Sequence, residues 1–235
     1  MSGQLFQRST LANMMPGLYD GSLTIADLLK HGDTGIGTCQ SLDGEMIIID
    51  GHAYAVRGSG KVDELGGDVL VPFAQVQFNQ ADKEISLNDE EFTELKDKLL
   101  KTVNTENLFF GVKITGKFSY MKTRAVFKQE KPYPDLNSVA DDQAIFEEDD
   151  TEGTVVGFFT PTLFQGIGSA GFHLHYLNND HTMGGHILDL KVEKAGAELH
   201  LLSSLNVSFP EKDPKFLSQK LNLDKMDQNL RKAEG

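Results

Sequence analysis

One cysteine, Cys39, stands in 235 residues, so an intramolecular disulfide is impossible and a zinc site built from several thiolates lacks its ligands. No stretch approaches about 18 consecutive apolar residues, which argues against a membrane-spanning helix. The first residues contain no apolar core between a basic start and a cleavage site, so the expected residence is the cytoplasm. Cations are scarce as well: 22 Lys and Arg face 35 Asp and Glu, giving a formal charge of −13 and a pI near 4.9. Such a field repels nucleic acid and anionic lipid, and neither is an expected partner. An anionic substrate would need a local cation, such as a bound metal or an arginine, to hold it. Repeats and low-complexity tracts are missing too. What the chain does have is 39% hydrophobic residues, enough to bury a substantial core.

Short β runs dominate the pattern. Asp43-Gly44 and Asp50-Gly51 are turn dipeptides around the run Glu45 to Ile49, and the second predicts a hairpin with His52 to Val56. Further strands are predicted at Val69 to Phe78, Leu108 to Thr115, Lys117 to Phe127, Thr154 to Phe159 and Ala197 to Phe209. Helices are few. Ser22 or Thr24 can cap a short one ending at Gly32, and Asn88 with Glu91 forms a capping-box pattern before the stripe Phe92, Leu95, Leu99 and Val103. Asp213-Pro214 marks the start of a short terminal helix. Lys131-Pro132-Tyr133-Pro134 breaks the β pattern, and the acidic stretch Asp141 to Glu152 reads as a solvated face or linker. These elements predict an α+β fold with two β-rich lobes on mixed sheets, residues 1–130 and 131–235.

Chemistry concentrates in Gly171 to Asp189. His173 and His175 share a face if Ala170 to Leu177 is a strand, because side chains at i and i+2 point the same way. Asn178 to Met183 is turn-rich, and a second strand from His186 to Val192 would place His186 beside or diagonal to His175. Three imidazoles could then converge on one ion and leave a coordination position open, the arrangement of a catalytic metal site. Against this, histidines on half-buried strands are more often hydrogen-bonded packing residues. His181, in the turn, competes as a ligand. His31, His52 and His200 lack comparable neighbours and read as structural or surface residues.

This segment resembles the α-acetolactate decarboxylase family, and the likeness runs nearly end to end. It includes Tyr19-Asp20-Gly21, Gly35-Ile36-Gly37-Thr38, Leu42-Asp43-Gly44-Glu45, Pro72-Phe73-Ala74, Thr123-Arg124, Gly153 to Phe158 and the histidine segment itself. The resemblance implies that His173, His175 and His186 bind Zn2+, with the site between the lobes of a homodimeric enzyme. It also puts Glu45 and Arg124 at active-site positions, Thr38 near the metal and the substrate, and a further catalytic glutamate at Glu234. Without the family, Glu45 opens a strand after a tight turn, where glutamate is usually exposed. Arg124 shares a strand face with Tyr120 and Lys122, where it would more often pair or cover apolar surface.

The implied reaction converts 2-acetolactate, a small anionic 2-hydroxy-3-keto acid, to (R)-acetoin and CO2 in acetoin and butanediol biosynthesis. Losing the carboxylate leaves an electron pair that is held as an enediolate until a proton reaches carbon, and a Lewis acid is its natural holder. Zinc would be the only cofactor needed. Arg124 would grip the carboxylate and Glu45 would protonate one face. Two rivals fit the same residues: a non-haem metal-dependent oxygenase, and a non-catalytic zinc-stabilised binding module in which a fourth ligand such as His181 closes the site.

Overall fold

The computed structural model describes residues 3–220. Strand β1 (Gly3–Arg8) opens the chain, and Thr10 then caps α1 (Leu11–Met14) by accepting from the Asn13 N–H. Strand β2 (Leu23–Thr24) leads into α2 (Ile25–Leu28), capped by Thr24 rather than Ser22. The hairpin expected around Asp50-Gly51 forms between β4 (Glu45–Ile49) and β5 (His52–Val56), after β3 (Thr34–Thr38). Its two turn residues have φ values of 51° and 81°, the left-handed pair that a two-residue turn matched to strand twist requires. Strands β6 (Val62–Glu64), β7 (Leu70–Val71), β8 (Phe73–Gln77) and β9 (Lys83–Asn88) follow.

Helix α3 (Phe92–Val103) buries Leu95, Leu99 and Val103 against the sheet, as its stripe predicts. Each leucine so buried contributes about 1.5–3 kcal/mol. Its cap lies three residues later than the sequence pattern suggests: Asn88 is held in β9 opposite Lys194, Asp89 turns with φ 57°, and Glu91 is the N-cap, its N–H bonded to the Glu94 carboxylate.

Two long strands carry most of the second half. Phe109–Val126 is one strand, β10, so the two runs expected on either side of Gly116 are continuous. After α4 (Leu136–Ala140) comes β11 (Gln143–Thr160), which contains most of the acidic stretch expected as a solvated face or linker. That half of β11 has one solvent face, and its carboxylates meet lysines on β10: Lys122 Nζ lies 2.6 Å from Glu147. Strand β12 (Gly171–Asn178), β13 (Gly184–Ser208) and α5 (Pro214–Ser218) complete the order, with Asp213 capping α5 as expected.

Among the described residues, eleven strands form one sheet in the order β10-β11-β12-β13-β1-β8-β3-β4-β5-β6, with β9 also on β13 and β10 pairing β13 as well as β11. The β1–β13 pairing is parallel while its neighbours are antiparallel, so the sheet is mixed, and the fold is mostly β with a few short helices. The pairings β10–β11, β11–β12, β12–β13 and β13–β10 close four strands into a ring, and both strands of the histidine segment belong to it.

Gly185 makes this ring possible. Its φ is +126°, and a Cβ there would lie 2.4 Å from the Arg124 carbonyl oxygen on β10. Gly185→Ala is expected to push β13 off β10 and cost about 2 kcal/mol or more. Thermal unfolding should record this as a fall in Tm of roughly 4–8 °C; an unchanged Tm would contradict the close-approach account.

Candidate active site

The histidine hairpin forms as its alternation predicts. Asn178 closes the turn, its N–H bonded to the Met183 carbonyl and its Oδ1 accepting from the N–H groups of Thr182 and Met183. His186 on β13 sits directly opposite His175 on β12, with His173 two residues back along the same face. Ring centroids are 5.1 Å apart for His173 and His175, 4.9 Å for His173 and His186, and 5.5 Å for His175 and His186. All three residues are buried, and a nitrogen from each lies within 4.8 Å of the other two.

The donor set suits a metal ion. His175 Nδ1 is 2.9 Å from the Met46 carbonyl oxygen. A carbonyl only accepts, so Nδ1 carries the proton, and Nε2 of the neutral ring presents a lone pair to the cluster. That Nε2 is 3.3 Å from Nε2 of His173. Two nitrogens bound to one tetrahedral zinc at ~2.05 Å are themselves about 3.3 Å apart, so the spacing is that of two ligands sharing an ion. Burial, with Arg124 nearby, pushes His173 down to about 3, and burial with His173 and Arg124 pushes His175 well down against the opposing pull of Met46. Both imidazoles therefore stay neutral, the form that ligates a metal.

His181 is not part of the cluster. It turns outward with φ 54° and packs its ring 4.5 Å from Tyr54. His31 stacks on Phe6, His52 pairs with Glu64, and His200 is buried beside β1.

Glu45, Arg124 and Thr38 come to the same place from other strands. Arg124 on β10 lies opposite His186 on β13, so His175, His186 and Arg124 stand in a row across three neighbouring strands. Glu45 opens β4 opposite Thr38 on β3, and its Oε2 is 3.6 Å from His175 Nε2, with only 12% of its side chain exposed. The usual exposure of a glutamate after a turn is overridden because β4 packs directly over β12. Thr38 donates to the Gly44 carbonyl at 2.8 Å and thereby fixes the turn that delivers Glu45. Glu234 lies outside the described residues.

These side chains share a cavity of about 50 Å³. That is space for about three to five water molecules, which suits a small organic acid. Its other wall is apolar: Leu11 and Met14 from α1, Leu42, Phe73, Val126, and Leu136 and Ala140 from α4. Sequence periodicity misses this wall because helices of four and five residues carry no readable stripe. Their caps, Thr10 and Asp135, are the signal that could have located them.

The sequence profile of the family described as "Alpha-acetolactate decarboxylase" matches residues 5–223. The chain belongs to the alpha-acetolactate decarboxylase family. It is 40% identical over 235 residues to the alpha-acetolactate decarboxylase of Lactococcus lactis subsp. cremoris, with 98% of each chain covered. With the alpha-acetolactate decarboxylase of Bacillus licheniformis it shares 34% identity over 233 residues, 99% of this chain and 92% of the relative. The crystal structure of alpha-acetolactate decarboxylase from Bacillus subtilis strain 168 superposes with a TM-score of 0.96 at 30% identity, covering 99% of both chains. A Staphylococcus aureus structure, described as a protein of unknown function similar to alpha-acetolactate decarboxylase, also gives 0.96, at 36% identity and with 98% of this chain and all of that one covered. Membership in the alpha-acetolactate decarboxylase family makes the chain a carbon–carbon lyase and favours that reading over an oxygenase or a non-catalytic module.

Proposed function

We propose that the chain decarboxylates 2-acetolactate to (R)-acetoin and CO2, with Zn2+ held by His173, His175 and His186. The observation that carries this reading is the convergence of three buried imidazoles, a carboxyl group and a guanidinium on one small cavity in a member of this family. When bound, an ion whose three protein ligands are uncharged keeps its double positive charge and supplies a Lewis acid worth several kcal/mol to charge developing on the substrate oxygens.

The chain's own residues do the rest. Arg124 offers two parallel N–H donors to the substrate carboxylate, which fixes the direction of the bond to be broken. Glu45, beside His175, delivers a proton to one face of the carbon left behind and so sets the configuration of acetoin. Thr38 lines the substrate cavity and holds Glu45 in place through its bond to Gly44. Leu42, Met14 and Leu136 exclude water and receive the substrate's methyl groups. Glu234 is proposed as a further acid/base. The two-lobe division at residue 130, the homodimer, cytoplasmic residence and a place in acetoin and butanediol formation belong to the same proposal. Support for a site between lobes is that Thr38, Glu45 and Arg124 come from one side of that boundary and the histidines from the other.

Metal replacement tests the reading. Protein stripped by a chelator should lose CO2 release and regain it with zinc under an oxygen-free atmosphere. Recovery that needs iron and oxygen would favour the oxygenase. Arg124→Lys should lower kcat/KM by roughly 10- to 100-fold with metal content unchanged, because one ammonium cannot copy a two-pronged donor. Wild-type kinetics in that variant would remove the carboxylate-binding role.

A further inference from the structure

Arg124 lines the cavity and is held by a neighbour on the adjoining strand. Its Nη1 donates to Gln143 Oε1 at 2.7 Å. The strand register explains why Gln143 is the partner. Arg124 pairs with Ile145 and Val126 pairs with Gln143, so Gln143 is the diagonal same-face neighbour of Arg124 across the β10–β11 ladder, within reach of two long side chains. Gln143 is half-buried at the first position of β11, separated by two residues from the end of α4, whose Leu136 and Ala140 wall the cavity.

An amide oxygen in this place has a chemical consequence. Acting only as an acceptor, it fixes the plane of the guanidinium and so the direction of the remaining N–H donors. Being neutral, it adds no negative charge beside Arg124 to compete with a carboxylate substrate. A glutamate of nearly the same shape would make the same bond but would also pair with the guanidinium.

We infer that Gln143 is a positioning residue for the decarboxylation: it aims the Arg124 fork at the substrate carboxylate without neutralising it. This rests on the reading of Arg124 given above.

The test is steady-state kinetics with acetolactate on the full, zinc-loaded chain for Gln143→Ala, Gln143→Glu and Arg124→Ala, with metal content and Tm measured alongside. Gln143→Ala should raise KM about tenfold with a smaller change in kcat, since the fork is present but no longer aimed. Gln143→Glu should raise KM further still, although it preserves size and acceptor. Tm and bound zinc should match wild type in both. A role in packing alone predicts the reverse order, with Gln143→Glu the milder change and losses that track Tm. That order, or wild-type KM in both variants while Arg124→Ala is impaired, overturns the inference about Gln143. Wild-type KM in Arg124→Ala would instead overturn the assignment of Arg124 itself.

Discussion

His175→Ala should lose bound metal and decarboxylase activity together, by roughly three orders of magnitude or more in kcat/KM. Several kcal/mol of charge stabilisation vanish with a Lewis acid, and each 1.4 kcal/mol is about tenfold in rate. His175 is the most consequential of the three ligands because its environment is the most committed. It is almost fully buried, its Nδ1 is tied to the Met46 carbonyl, and its Nε2 faces both His173 and Glu45. Alanine removes the donor and leaves the Met46 carbonyl without that bond, so a fall in Tm accompanies the loss of metal. The measurement is metal analysis of the purified variant beside its rate of CO2 release. Full metal content in His175→Ala would show that the imidazoles do not act as one site.

Glu45→Gln separates proton delivery from metal binding. The amide keeps the size and polarity of the carboxyl group, so the cavity and the histidine cluster should survive, with zinc at wild-type content. Turnover should fall by roughly 10²- to 10⁴-fold, the usual contribution of a positioned acid or base. Any acetoin still formed should lose enantiomeric purity, because solvent then protonates carbon from either face. Chiral chromatography of the product reads this directly. An unchanged rate with unchanged handedness would assign Glu45 a merely structural place beside His175.

Elements governed by neighbours in sequence were legible. The Asp50-Gly51 turn, the α3 stripe, the Asp213 cap and the two-residue spacing of His173 and His175 all follow from local rules, and the structure has them. What was not legible depends on distant pairing. Thr115-Gly116-Lys117 reads as a break, yet Gly116 is held in β10 between Gly153 and Ala195, both far along the chain. The carboxylates before Glu152 read as a solvated face or a linker, and choosing the face needs the lysines that β10 supplies opposite them, which nothing local shows. Glu45 illustrates the same limit at the site. Its own segment predicts exposure, and only the packing of β4 over β12 buries it beside His175. The family resemblance supplied what local patterning could not, bringing Glu45, Arg124 and Thr38 into the reading.

The most direct measurement is CO2 release and product chirality when metal-quantified protein is incubated with racemic acetolactate. One zinc per chain, rapid CO2 release and a single acetoin enantiomer, the R form, are predicted. Protein carrying its full zinc that releases CO2 no faster than buffer, or that yields racemic acetoin, would contradict the account.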